Sequence, residues 1–191
     1  MRVIAGRYKG RRLQSPTWAG LRPTSDRLKE SLFAILAPVV AGARVLDGFA
    51  GSGALGIEAL SRGAAEVTFV DADRRALELI RANLAHCGIS DGYAMIRDEF
   101  AGALARLPAH LRFDLAVLDP PYDEADLDGV LQAAAARLSE HGTIVLEHAK
   151  RRAVPARAGD LTLVRQVTAG AGALAFYRRV AQAAPAVTED V

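Results

Sequence analysis

At 191 residues, 51% hydrophobic and 24% charged, the chain is long enough for one domain with a real core and too hydrophobic for a disordered segment. No apolar run nears the roughly 20 residues of a membrane span, the start Met1-Arg2-Val3-Ile4-Ala5-Gly6-Arg7 has no signal-peptide core, and a single cysteine, Cys87, excludes an internal disulfide; the expectation is a cytoplasmic protein. The net charge of +2 conceals an uneven distribution: residues 1–30 carry eight Lys/Arg against Asp26 and Glu30, whereas the remainder carries sixteen against twenty, which suggests a polyanion-binding element joined to a domain with another task.

In chain order, residues 2–5 and 11–14 read as short strands around Gly6-Arg7-Tyr8-Lys9-Gly10, a small N-terminal β-hairpin. A loop with Pro16, Trp18, Gly20 and Pro23 follows; Trp18 either stacks on a splayed base or packs on its own domain. A helix begins at Thr24 or Ser25, presents Leu28, Leu32, Ile35 and Leu36 on one face, and is expected to stop at Pro38. From residue 44, strands over 44–47, 66–70, 93–97, 113–118 and 143–147 alternate with helices over 54–62, 73–86, 99–107 and 125–138. Short apolar strands in that alternation predict a mostly parallel, doubly wound α/β sheet. Residues 161–168 and 173–179 flank Gly170-Ala171-Gly172 as an antiparallel closing hairpin, and 181–191 reads as a disordered Ala-rich tail.

The first of these strands runs into Asp47-Gly48-Phe49-Ala50-Gly51-Ser52-Gly53-Ala54-Leu55-Gly56, whose glycines match the dinucleotide fingerprint, and Asp71 ends the next strand where a carboxylate meets ribose hydroxyls. Asp47 argues against a dinucleotide, because a carboxylate beside a pyrophosphate meets like charge. S-adenosylmethionine carries an ammonium and a sulfonium instead, and attracts it. Asp98, after the third strand, suits either the adenine amino group or the cap of the following helix. In an open α/β sheet, ligands lie outside the carboxyl ends of the strands, where Asp47, Asp71, Asp98 and Asp119 all fall.

The fourth strand ends in Asp119-Pro120-Pro121-Tyr122. An amino group on a base is a poor nucleophile because its lone pair is delocalised into the ring. The Asp119 carboxylate and Pro120 carbonyl are acceptors for its N–H groups, the two prolines stiffen the segment, and Tyr122 offers a ring for an extruded base. Methylation at a pyrimidine carbon needs a cysteine nucleophile; Cys87, before Gly88 at a helix end, reads as packing. His86, His110, His141 and His148 show no metal-ligand spacing, so no metal is expected.

The glycine loop through Gly63, the Asp119-Pro120-Pro121-Tyr122 run, the opening Arg2–Leu13 segment and Arg22-Pro23-Thr24-Ser25-Asp26-Arg27-Leu28-Lys29-Glu30-Ser31-Leu32-Phe33 together resemble the RsmD family of bacterial 16S rRNA guanine-N2 methyltransferases. The resemblance spans about residues 1–180 and implies a Rossmann-like seven-stranded methyltransferase sheet, S-adenosylmethionine as cofactor, and a guanine in 16S rRNA of the 30S subunit or its assembly intermediate as target. It places Asp47, Phe49, Gly51 and Asp71 at the cofactor and Asp119 to Tyr122 on the guanine; Ala50, Ser52, Gly53, Ala72 and Asp98 are further candidate cofactor contacts, the adenine-side one set against the departure at Arg97-Asp98-Glu99. The chain departs from the family pattern at Gly48, where members often carry Leu, and at Arg97-Asp98-Glu99, where they often carry Gly-Asp-Ala. The resulting organisation is a basic arm over 1–23, a methyltransferase domain over 24–180 and a tail over 181–191, expected to act as a monomer. Arg7, Lys9, Arg11, Arg12, Arg22 and Arg27 are the candidate rRNA-phosphate contacts. The rival readings are an adenine-N6 methyltransferase on DNA or RNA, an NAD-dependent oxidoreductase, and a non-catalytic RNA-binding factor.

Overall fold

The computed structural model describes residues 1–16, 18, 26–121, 124–169 and 172–179. The expected helix caps Thr24 and Ser25, the candidate residues Arg22 and Tyr122, part of the Gly170-Ala171-Gly172 turn and the 181–191 tail lie outside them. The elements are α1 (Asp26–Val40), β1 (Arg44–Gly48), α2 (Ala54–Ser61), β2 (Glu66–Asp71), α3 (Arg74–His86), β3 (Tyr93–Arg97), α4 (Phe100–Arg106), β4 (Phe113–Leu118), α5 (Leu127–Ala135), β5 (Leu138–Ala149), β6 (Arg157–Ala158), β7 (Leu161–Ala169) and β8 (Gly172–Arg179). The strands form one sheet in the order β3-β2-β1-β4-β5-β8-β7-β6. Strands β1 to β5 pair in parallel, and β6, β7 and β8 are antiparallel. The sheet therefore has eight strands rather than seven; the extra one is the two-residue β6, folded back onto β7 through Gly159 in the left-handed region.

Strand alternation sorts the core into two clusters. Val45, Val67, Phe69, Leu115, Val117 and Val145 point to one face, where α1, α2 and α3 pack. Leu46, Val70, Ala116, Leu118, Ile144 and Leu146 point to the other, beneath α4 and α5.

The expected N-terminal hairpin forms over a short span: Arg2 and Arg12 bridge in antiparallel fashion, Val3 donates to the Arg11 carbonyl and Gly10 to the Val3 carbonyl, both at 2.9 Å, and Leu13 donates to the Met1 carbonyl at 3.1 Å. Further backbone donors of this segment bond to α2: Ile4 and Ala5 donate to the Glu58 carboxylate at 2.7 and 3.0 Å, and Arg7 donates to the Ser61 carbonyl at 2.7 Å. Gly6, at φ +82°, passes so close that a Cβ would lie 1.8 Å from that same carbonyl oxygen. Val3 and Leu13 are buried in the first core cluster. The basic segment is thus docked rather than free. Lys29 is not a surface charge: its side chain is fully buried beside Glu58, and its ammonium donates to the Arg2 carbonyl. Burial lowers the Lys29 pKa, opposed by the charges of Glu58 and Asp26.

Glu58 is the joint of this assembly, accepting also from Arg62 Nε at 2.8 Å. Glu58→Gln keeps the shape but turns an acceptor into a donor among donors. It should cost about 1–3 kcal/mol, seen as a lower denaturant midpoint and faster amide exchange at Ile4 and Ala5; unchanged exchange at both would exclude the joint.

Several element boundaries shift from expectation by one to five residues, most tellingly at the end of α1 and between α5 and β5. The first helix does not stop at Pro38; it continues to Val40, because Pro38 itself faces solvent while Val40 is buried and ties down the last turn. Leu138 starts β5 instead of ending α5: it pairs with Phe113, and the register then jumps so that Leu115 meets Thr143.

Candidate active site

The parallel register lines up the strand ends. Gly48 sits level with Val70 and Leu118, and Leu118 with Leu146. Asp71, Asp119 and Glu147 therefore share the first rung beyond that level, while Asp47 lies two rungs deeper. By the same alternation all four carboxylates fall on the face that carries α2 and α3. This depth difference explains their environments: Asp47 is 2% exposed, and Asp71 is half-buried. Asp119 is also partly accessible, yet protein atoms surround it on nearly every side.

Each carboxylate has identified partners or neighbours. One Asp47 oxygen accepts the Gly56 N–H at 2.8 Å, so this residue caps the start of α2 from across the loop. Asp71 accepts from Gly51 N–H at 2.8 Å and Asp73 N–H at 2.9 Å, pinning the glycine loop to the end of β2. Burial pushes Asp47 up to about 8, with the Gly56 hydrogen bond opposing and Asp71 adding to the rise. Burial also raises Asp71, against the pull of its two backbone donors. For Asp119, burial and then the charges of Glu147 and Asp47 raise the carboxyl well above its ordinary range.

The loop between β1 and α2 turns sharply through Phe49 at φ 59°, Gly51 at φ 54° and Gly53 at φ 75°. An aromatic residue in the left-handed region is strained, and here its ring is held by stacking on Phe100, centroids 4.8 Å apart. Gly56 is required by close approach: a Cβ there would lie 2.3 Å from the Phe69 ring and 2.8 Å from Asp47 Oδ2. Ala50 donates to the Val70 carbonyl, and the Ser52 carbonyl accepts from Asn83 Nδ2 at 2.9 Å. Asn83 is buried and also exchanges two hydrogen bonds with the Gln14 backbone, joining the arm to the glycine loop through α3. Ala72 is exposed on the turn after Asp71.

At β4, Asp119 extends the pairing by donating its N–H to the Gly48 carbonyl at 3.3 Å. Pro120 is buried and Pro121 exposed. Glu124 N–H returns to the Pro121 carbonyl at 2.9 Å, and the Arg152 guanidinium donates to the Glu124 carbonyl, closing the far side of the turn. Asp98 accepts Glu99 N–H with one oxygen and pairs with Arg106 through the other at 2.5 Å; Glu99, not Asp98, is the N-cap position of α4. Arg7, Lys9, Arg11, Arg12 and Arg27 are all exposed. The Arg7 and Arg11 guanidinium groups flank the Tyr8 ring at 5.5 and 5.4 Å, and Arg11 also donates to the Cys87 carbonyl. Trp18 packs under the Arg75 guanidinium at 4.9 Å.

The comparisons with known proteins agree with this geometry. Residues 1–178 match the family model described as Conserved hypothetical protein 95. The Escherichia coli K12 protein named Ribosomal RNA small subunit methyltransferase D is 34% identical over 184 residues, 95% of this chain and 91% of that one. The chain belongs to the RsmD family of rRNA methyltransferases. A further relative, YlbH of Bacillus subtilis, is 40% identical over 182 residues, covering 94% of this chain and 99% of its own. Among solved structures, yhhF from Escherichia coli superposes with a TM-score of 0.79 at 35% identity, covering 95% of this chain and 99% of that one.

Within this RsmD-family site, two residues escaped the sequence reading. Phe100 occupies the space a side chain at position 48 would need; a Cβ there would lie 2.5 Å from its ring. The family departure at Gly48 was the available signal, since a missing side chain in a core strand implies a neighbour that fills the gap. Glu147 is buried at the end of the fifth parallel strand, where the strand-end rule already applied to the four aspartates would have found it.

Proposed function

We propose that the protein transfers a methyl group from S-adenosylmethionine to the exocyclic N2 of one guanine in 16S rRNA, acting as a cytoplasmic monomer on the 30S subunit or its assembly intermediate. The observation that carries the proposal is the placement of Asp119 on one rung and one sheet face with Asp71 and Glu147, two rungs beyond the level of the buried Asp47 on the neighbouring strand. The relatives' names support an rRNA substrate, and the raised Asp119 carboxyl supports an amino nitrogen as the acceptor.

The residues fit that cofactor. Asp47 is a buried carboxylate with no protein cation among its hydrogen-bond partners in the described residues, and the glycine loop turns over it at the carboxyl end of β1. In the proposed arrangement Asp47 faces the ammonium end and Asp71 the ribose hydroxyls. Phe49, Ala50, Gly51, Ser52, Gly53 and Ala72 form the walls, and Asp98 takes the adenine amino group in competition with Arg106. When bound, the cofactor supplies an electrophilic methyl on a positively charged sulfur that leaves as a neutral thioether. Asp119 and the Pro120 carbonyl accept the two N–H groups of the guanine amine and aim its lone pair at the methyl. As the N–C bond forms, the nitrogen becomes cationic and one of its protons passes to the Asp119 carboxylate. A carboxyl held above its ordinary range is a better proton acceptor for this step. Tyr122 stacks on the base, and Arg7, Lys9, Arg11, Arg12, Arg22 and Arg27 hold rRNA phosphates.

Incubation with labelled S-adenosylmethionine and undermethylated 30S particles, followed by nucleoside analysis, should yield N2-methylguanosine; N6-methyladenosine would overturn the guanine assignment. The same assay checks the acceptor role. If ionised Asp119 is the working form, the rate rises with pH through its raised range. Glu147→Gln removes a charge that raises Asp119 and should move that rise to lower pH; a profile unmoved by Glu147→Gln would rule out Asp119 as the titrating group.

A further inference from the structure

A groove of about 560 Å³ runs along the outer edge of the sheet and is lined by none of the candidate site residues named above. One wall is a single face of α3, with Arg74, Leu77, Glu78 and Arg81 at i, i+3, i+4 and i+7. The other is one face of β3, carrying Tyr93, Met95 and Arg97 at alternate positions. Strand β3 is the last of the sheet and pairs only with β2 among the described residues. Arg74 is shared with Glu78 at 3.4 Å, an exposed pair, whereas Arg81 and Arg97 form no salt bridge among the described residues. The groove is thus net positive in a body whose remaining charge is net negative.

Its ends are informative. Arg97 pairs in register with Asp71, so the groove opens onto the rung that holds the candidate site. The helix that forms its wall is also the helix to which the arm is tied: Gln14 bonds Asn83, and Arg11 reaches the carbonyl of Cys87. The arm, α3 and the groove therefore lie on the same sheet face as the four carboxylates.

We propose that this groove is a second rRNA-binding surface, in which Arg81 and Arg97 hold phosphates of the strand leaving the target nucleotide and the half-buried Tyr93 ring stacks on a base. It rests on the reading of the substrate as small-subunit rRNA. Cations lining a track with an aromatic platform between them are what single-stranded nucleic acid requires, and the groove opens on the rung that Asp119 shares, three strands away across β2 and β1. Charge on an edge strand also guards against edge-to-edge pairing, and a charge reversal separates the two roles, because glutamate guards an edge as well as arginine does.

The test is Arg81→Glu/Arg97→Glu, with 30S affinity measured across a salt series for the variant and the wild type, in parallel with a protein-free 16S rRNA fragment and with cofactor binding as a folding control. Removing two phosphate contacts should weaken both RNA affinities by about tenfold or more at moderate salt and flatten the log–log salt slope by roughly 1.5, while cofactor affinity and the rate at saturating 30S stay as in the wild type. Equal affinities and slopes would overturn the proposal. So would a loss confined to the 30S particle, since the occupant would then be a ribosomal protein. Loss of salt-dependent RNA binding in the variant, with a wild type that methylates no guanine, would keep the groove and remove the substrate reading beneath it.

Discussion

Asp119→Ala is expected to slow single-turnover methyl transfer by about 10²–10⁴-fold while leaving cofactor affinity within about twofold of the wild type. The split follows from position. Asp119 stands on the outer rung, beyond the pairing of β1 with β4, whereas the contacts proposed for the cofactor come from β1, β2 and the glycine loop. Its partner in the proposal is the guanine amine, whose N–H groups become acidic only as the new bond forms, so its contribution appears mainly in the transition state. Stability should not fall with activity. A carboxyl raised by burial and by the Glu147 and Asp47 charges is one that the fold accommodates reluctantly in its ionised form, and alanine relieves that. Asp119→Asn keeps an acceptor oxygen and loses the proton acceptor, so it should fall between the two. A wild-type single-turnover rate in Asp119→Ala would remove the assigned role.

The features legible in the sequence were those with a short-range signature. Strands β1 to β4 are apolar runs flanked by turns, and their carboxyl ends follow from the α/β rule, so Asp47, Asp71 and Asp119 could be placed together before the sheet was seen. What stayed hidden depended on contacts between distant segments. Lys29 counts as one more basic residue in a basic stretch; only the fold puts it beside Glu58, 29 positions on in the sequence and on another helix. Glu58 reads as an ordinary helical residue, yet its carboxylate takes the Ile4 and Ala5 N–H groups and so ties the N-terminal hairpin to α2. The docked arm changes how its charge can be examined as well: deleting residues 1–14 would strip Val3 and Leu13 from the core, so substitution of the exposed Arg7, Lys9 and Arg12 is the cleaner perturbation. Asp98 had two readings from sequence, ligand or cap, and the structure adds a third partner, Arg106, eight residues further on.

Asp47→Asn should do two opposite things: abolish tight cofactor binding and make the free protein more stable at alkaline pH. The carboxyl is buried two rungs below the site and its pKa is pushed up to about 8, so most free molecules hold a proton there at neutral pH. A ligand that brings an ammonium to this carboxylate favours the ionised form, and binding must therefore release a proton below pH 8. Affinity should then rise with pH by up to about tenfold per unit until pH 8 and level off above it. For the free protein the sign is reversed. The ordinary value is 3.8 and the folded value is about 8, so the stability contributed by the protonated form is complete below pH 3.8 and is lost as pH rises through 8. Integrated over that interval, the loss is on the order of 5 kcal/mol. Asparagine stays neutral and can still accept the Gly56 N–H, so the variant escapes the loss, and its margin over the wild type should grow from pH 5 to pH 9. Cofactor affinity in the variant should drop by about 10²-fold, as expected when a charge-assisted contact is removed from a buried site, and lose the Asp47-linked part of its pH dependence. Thermal melts across that pH range, with and without the demethylated product of S-adenosylmethionine, check both arms. A variant that binds the product as tightly as the wild type, with the same proton release in calorimetry, would show that Asp47 only caps α2.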